Sequence, residues 1–104
     1  MKNKFVNISI LLMLTANVSY AEQSIKEEII DRCRKQMGEY GSTMVKACVD
    51  QDIEAVMSLN RLIETKKYDS IISRCMSQMQ EYGYVMVKAC IDQDIQAEKA
   101  LSNY

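Results

Sequence analysis

The sequence predicts an all-α protein made of a tandem pair of disulfide-stapled helical hairpins, with four short helices. Three observations support this fold class: a 42-residue internal repeat, apolar residues spaced at helical intervals, and one pair of cysteines within each repeat. The organisation that follows is a signal peptide over 1–21, a first hairpin over 22–63 and a second hairpin over 64–104.

The segment 1–21 has the three parts of a cleavable signal peptide. Lys2 and Lys4 precede the mostly apolar stretch 5–14, and the Ser-Tyr-Ala sequence at 19–21 supplies the small residues of a cleavage site. The apolar stretch is shorter than the roughly 20 residues of a membrane-spanning helix, and it contains polar residues. We therefore expect a periplasmic or secreted protein with no stable membrane insertion after the leader is removed.

The internal repeat is read directly from the sequence. Residues 29–55 and 71–97 align without a gap at an offset of 42, and 19 of the 27 positions are identical. Within each copy, apolar residues recur every three or four positions until Gly41 or Gly83, and a glycine just past a helix can adopt the left-handed conformation that ends it. Helices are expected near 24–40, 43–63, 68–82 and 85–102.

The cysteines indicate how each repeat folds. Cys33 and Cys48 lie seven residues before and after the Tyr40–Gly41 junction, and Cys75 and Cys90 flank Tyr82–Gly83 in the same way. Equidistant positions face each other in an antiparallel hairpin, which predicts the bridges Cys33–Cys48 and Cys75–Cys90. In one continuous helix each pair would be roughly 22 Å apart, beyond the reach of a disulfide. Bridges that cross between the copies are the alternative.

One charged residue in each repeat falls on the apolar side of its helix: Asp52 in the first copy and Asp94 in the second. A buried carboxylate requires a partner, because burying it alone is costly. Arg32 and Arg74 flank the facing stripes, so we expect Arg32–Asp52 and Arg74–Asp94 to be buried ion pairs between helices. The alternative is that the two aspartates line a site for a cation or a basic ligand.

Composition argues against several function classes. The sequence has no histidine, no C-x-x-C motif and no glycine-rich phosphate loop, so we expect no catalytic residue, no resident metal or cofactor, and no enzymatic activity. The leader holds two lysines and no acid, which leaves 11 basic against 14 acidic residues in the rest of the chain. This balance does not fit a nucleic-acid-binding protein.

The class that remains is a non-enzymatic, periplasmic module that binds a protein or gives structural support. Tyr40, Tyr82 and Tyr84 are candidate surface contacts for a partner, although the same side chains could instead cap the ends of the core. A soft-metal carrier that binds copper through Met and Cys is the alternative, since thiolate and thioether ligands select Cu(I).

Overall fold

A computed structural model describes residues 22–104, so the predicted signal peptide lies outside the described residues. Helix α1 covers residues 22–37 and is followed by a 3-10 turn over Gly38–Tyr40. Helix α2 covers Ser42–Thr65, α3 covers Asp69–Met79 with a 3-10 turn over Gln80–Tyr82, and α4 covers Tyr84–Leu101. Residues 22–104 contain no strand, and the predicted all-α class is confirmed.

Disulfide bonds hold each pair of helices together. Cys33 is bonded to Cys48 and Cys75 to Cys90, with the Cα atoms 5.7 Å apart in both bridges. The predicted hairpins are therefore confirmed, and bridges that cross between the copies are excluded because all four cysteines are used within their own hairpins. No helix within residues 22–104 has the length and apolar character to cross a membrane.

The chain reverses at a glycine in each hairpin. Gly41 has φ 100° and ψ 167°, and Gly83 has φ 115° and ψ 162°, a region of backbone space that is essentially open only to glycine. The helices before these glycines end earlier than expected, because Met37 and Met79 have ψ near zero and the chain tightens into a 3-10 turn.

The core lies between the hairpins as well as within them. Side chains with no exposed surface come from α1, α3 and α4, and they are Ile29, Cys33, Cys75, Val87 and Ile91. Helix α2 is long enough to pack against both hairpins. Its first half is joined to α1 by the disulfide, and its second half places Ala55 and Leu59 in the same core cluster as residues of α4. Contacts between α2 and α4 thus join the two hairpins, and residues of α1 also reach α4.

A short connection lets the second hairpin fold back onto the first. Lys66 ends α2 in the left-handed conformation, with φ 57°, and its N–H donates to the carbonyl oxygen of Ile63 at 3.1 Å. Only residues 66–68 separate α2 from α3. This sharp reversal brings the tip of the second hairpin against the middle of the first, where the candidate site lies.

Candidate functional site

The centre of the junction between the hairpins is an ion pair between Arg32 of α1 and Asp52 of α2. Asp52 is only 4% exposed, and its carboxylate is bonded to the guanidinium group of Arg32. Arg32 also contacts Glu28 Oε1 at 3.1 Å. The predicted partners thus lie together beside the Cys33–Cys48 bridge.

Asp52 has a second role that the sequence did not suggest. Its Oδ1 accepts a hydrogen bond from the backbone N–H of Val85 at 3.0 Å, in the first turn of α4. The N–H groups of a first turn have no partner within their own helix, and a negative charge there also interacts favourably with the helix dipole. Asp52 therefore caps a helix of the other hairpin, from 33 positions away in the chain.

Gly83 allows this close approach between the hairpins. A Cβ atom added at Gly83 would lie 3.2 Å from Asp52 Oδ1 and 3.3 Å from Arg32 Nε. The same atom added at Gly41, its counterpart in the first hairpin, would meet nothing within 4 Å. Both positions need glycine for their backbone angles, but only Gly83 also needs it for the contact between hairpins.

The prediction that Tyr84 is a surface contact is wrong. The Tyr84 side chain is buried at the junction, its hydroxyl donates to Glu28 Oε2 at 3.4 Å, and its ring lies 5.5 Å from the Arg32 guanidinium carbon. Burial, together with the negative charge of Glu28, raises the pKa of the Tyr84 phenol. The tyrosine is covered because the tip of the second hairpin docks on the first, whereas Tyr40 and Tyr82 stay exposed at the tips.

The second ion pair has the same partners but a different environment. Arg74 and Asp94 form an ion pair, yet their side chains are 51% and 37% exposed. The side chains of Arg32 and Asp52 are only 12% and 6% exposed. The expectation of burial is therefore wrong for this pair, because nothing in residues 22–104 docks on it. We call the surface around Arg32 and Asp52 the filled acceptor site, and that around Arg74 and Asp94 the open acceptor site.

A shallow groove runs beside the filled acceptor site, and we call it the junction groove. Its volume is about 230 Å³, and its apolar lining comes from both hairpins: Met37, Met44, Ala47, Tyr82 and Val85. Met44, Tyr82 and Val85 are exposed in this groove. The sequence indicates Tyr82 but not the groove, because Met44 and Val85 are 41 positions apart in the chain and come together only when the hairpins pack.

Metal ligands do not gather in the described part of the chain. Residues 22–104 hold no group of three or more His, Cys, Asp or Glu placed to bind a metal ion. All four cysteines are in disulfides, so the soft-metal alternative has no thiolate to use in this oxidised state.

The fold and the junction define a tandem α-hairpin protein, stapled by one disulfide in each hairpin. Comparison with known protein families, characterised proteins and solved structures finds no match to this chain. A function must therefore be inferred from the residues of the molecule itself.

Proposed function

We propose that this protein is an exported, non-enzymatic interaction module that binds an apolar segment of a partner protein in the junction groove. The observation that carries the proposal is the exposed cluster of Met44, Tyr82 and Val85. Exposed apolar side chains that gather in one concave place, with polar residues around them, are typical of protein-binding surfaces.

The chemistry of the groove indicates the kind of segment that would fit. Tyrosine and methionine are both enriched at protein interfaces, and methionine adapts its shape to different apolar side chains. Two amide side chains, Gln36 and Gln51, lie at the same groove and can hydrogen-bond to the backbone of a bound segment. The carboxylate of Asp52 is already engaged by Arg32 and Val85, so the groove offers no free charge from that residue.

The walls of the groove are held in place before any partner arrives. The Cys33–Cys48 bridge fixes α2 against α1, and the hydrogen bond from Val85 to Asp52 fixes the start of α4 against α2. Preorganisation of this kind lowers the entropic cost of binding. The disulfides also fit an oxidising compartment, which supports the expected periplasmic or secreted location.

Site-specific photo-crosslinking tests the proposal. Tyr82 is replaced by p-benzoylphenylalanine, and the exported protein is irradiated in periplasmic extract at a dilution where it is monomeric. We expect one discrete product that joins the chain to a second, different protein, because the probe lies in the junction groove. The absence of any such product would contradict the proposal.

The repeat supplies a matched control for this experiment. Met44 and Met86 occupy equivalent repeat positions and are both 42% exposed, but Met44 lines the junction groove and Met86 does not. Met44→Gln should lower the yield of the cross-linked product about tenfold, the effect of about 1.4 kcal/mol of lost binding energy, and Met86→Gln should leave it unchanged. Equal losses in the two variants would show that the partner does not recognise the groove.

A further inference from the structure

The two hairpins contribute opposite halves to the contact between them. The first hairpin supplies the filled acceptor site, and the second supplies the tip that docks there, with Gly83 buried. The same tip in the first hairpin, residues 41–43, is exposed, and no element within residues 22–104 is docked on the open acceptor site of the second hairpin. The contact between the hairpins thus occurs once within the described residues. The first hairpin keeps an unused tip, and the second keeps an unused acceptor site.

The difference extends along the helix that carries each acceptor site. In α2, Ala55 and Leu59 are both 4% exposed because the second hairpin covers them. Their counterparts in α4, Ala97 and Leu101, are exposed, and Leu101 is 58% exposed. The second hairpin thus presents an exposed apolar helix face. The equivalent face of the first hairpin is covered by the second hairpin.

The complementary difference is found on the side of the hairpin that docks. Ile72 and Val87 are 6% and 0% exposed, whereas their counterparts Ile30 and Val45 are 38% exposed and half-buried, respectively. A groove of about 270 Å³ follows this side of the first hairpin and is lined by Ile30, Arg34, Ser42, Val45, Lys46 and Val49. It occupies the position that the second hairpin uses to bind the first.

We propose that these two unused surfaces bind each other in separate copies of the chain. The tip of the first hairpin of one copy docks on the open acceptor site of the next copy and repeats the internal contact. In this arrangement the Asp94 carboxylate accepts the backbone N–H of Thr43, as the Asp52 carboxylate accepts that of Val85. The residues that the internal contact uses at its centre, an Arg–Asp pair and a tip glycine, are all present on the unused surfaces.

Residues that differ between the repeats set the strength of this contact. Ser42 stands where Tyr84 packs on the filled acceptor site, and Glu98 stands where α2 has Val56, so the contact between copies is weaker than the internal one. Arg34 and Lys46 beside the groove have the opposite charge to Glu98 on the acceptor helix. We therefore expect a weak association that salt reduces further.

The symmetry of the contact determines what kind of assembly forms. The two surfaces are different from each other, so the contact is head-to-tail. Any assembly then keeps a free tip at one end and a free acceptor site at the other, where further copies can bind. Such contacts extend into open chains unless the rotation between copies closes a ring. The expected species are thus larger than a dimer at high protein concentration.

Sedimentation velocity of the exported, oxidised protein tests this inference from about 10 μM to about 1 mM, the range that corresponds to weak binding. The wild-type mass should rise past that of a dimer. Asp94→Ala removes the proposed acceptor and should weaken association about tenfold, the scale of a lost helix cap. Asp92→Ala is the control, because Asp92 is a similarly exposed, ion-paired carboxylate on the same helix and should associate as wild type does.

A second variant removes the other half of the contact. Thr43→Pro deletes the proposed donor, and proline is tolerated in the first turn of a helix because the N–H there has no partner within the helix. This variant should also associate about tenfold more weakly, with an unchanged far-UV circular dichroism spectrum. Mixing it with the Asp94→Ala variant should restore dimers and nothing larger, since each copy then keeps one intact surface and the two intact surfaces match.

The outcomes separate the proposal from other kinds of association. A wild-type protein that stays monomeric at about 1 mM would overturn it, as would variants that associate as strongly as wild type. A mixture of Thr43→Pro and Asp94→Ala that forms no dimers would show that the contact is not head-to-tail. None of these results depends on whether a different protein binds the junction groove.

Discussion

Replacing Asp52 by alanine should destabilise the protein strongly, because Asp52 lies at the centre of the contact between the hairpins. The substitution removes the partner of Arg32, the cap of α4 at Val85, and a negative charge at a helix N-terminus. Removing one member of a buried ion pair typically costs about 3–5 kcal/mol. Arg32 keeps Glu28 at 3.1 Å, so we expect the lower end of this range, about 3 kcal/mol.

The assay is urea unfolding of the oxidised protein, followed by far-UV circular dichroism. Asp94→Ala is the matched control, because Asp94 holds the same repeat position in an ion pair that is half-exposed, and such pairs contribute about 1 kcal/mol or less. Asp52→Asn separates ion pairing from capping of α4. It keeps an oxygen that can accept the Val85 N–H but removes the charge that Arg32 requires, so its loss of unfolding free energy should be intermediate.

The comparison has a clear negative result. If Asp52→Ala and Asp94→Ala lower the free energy of unfolding equally, burial and capping of α4 do not distinguish the two sites, and Asp52 does not hold the hairpins together. A chain of this size has a total stability near the low end of about 5–15 kcal/mol, so a difference of about 2 kcal/mol between the variants is readily measured.

The remaining predictions concern the tip glycines, alkaline pH and the disulfides. Gly83→Ala should lower the free energy of unfolding in urea by about 1–2 kcal/mol more than Gly41→Ala does, because only the methyl group at position 83 meets the buried ion pair. Equal losses in the two variants would contradict this. Since burial raises the pKa of Tyr84, the stability that its neutral phenol contributes is fully present below about pH 10 and is lost as the pH rises through the folded-state pKa. The melting temperature of Tyr84→Phe should therefore fall less steeply at alkaline pH than that of the wild type, and identical pH dependences would refute the burial of Tyr84. Replacing both Cys33 and Cys48 by alanine should cost about 3 kcal/mol in urea unfolding, because their bridge spans 15 residues, and a loss below about 1 kcal/mol would disagree with this chain-entropy estimate.

Local sequence information was sufficient to predict the hairpins. The equal spacing of Cys33 and Cys48 about a glycine turn leaves an antiparallel pair of helices as the simple way to bring the sulfur atoms together. The position of Asp52 on an apolar helix face likewise predicted a nearby cation, and Arg32 lies there. Both inferences use distances along one or two adjacent helices, which helical geometry determines.

The packing of one hairpin on the other could not be predicted in the same way. Nothing near Tyr84 in the chain indicates that it docks on Arg32, because that contact joins residues 52 positions apart. A signal was nevertheless present: the repeat replaces Ser42 by the much larger Tyr84 at an otherwise similar tip. A large aromatic residue in one copy only suggests a contact that only that copy makes.

The environment of the second ion pair was also beyond local reasoning. Arg74 and Asp94 have nearly the same sequence neighbours as Arg32 and Asp52, so their side chains were expected to be equally buried. Burial depends on the element that covers a residue, and the tip of the second hairpin covers Asp52. Within residues 22–104 no element covers Arg74 and Asp94 in the same way.

The placement of the disulfides bears on how the protein matures. Each bridge joins cysteines 15 positions apart, and both members of the first pair precede both members of the second. A chain that enters an oxidising compartment N-terminus first therefore exposes Cys33 and Cys48 to each other before Cys75 arrives. Although four cysteines allow three pairings, the order of emergence presents the native partner first in each half, so an oxidase can complete the molecule with little need for an isomerase.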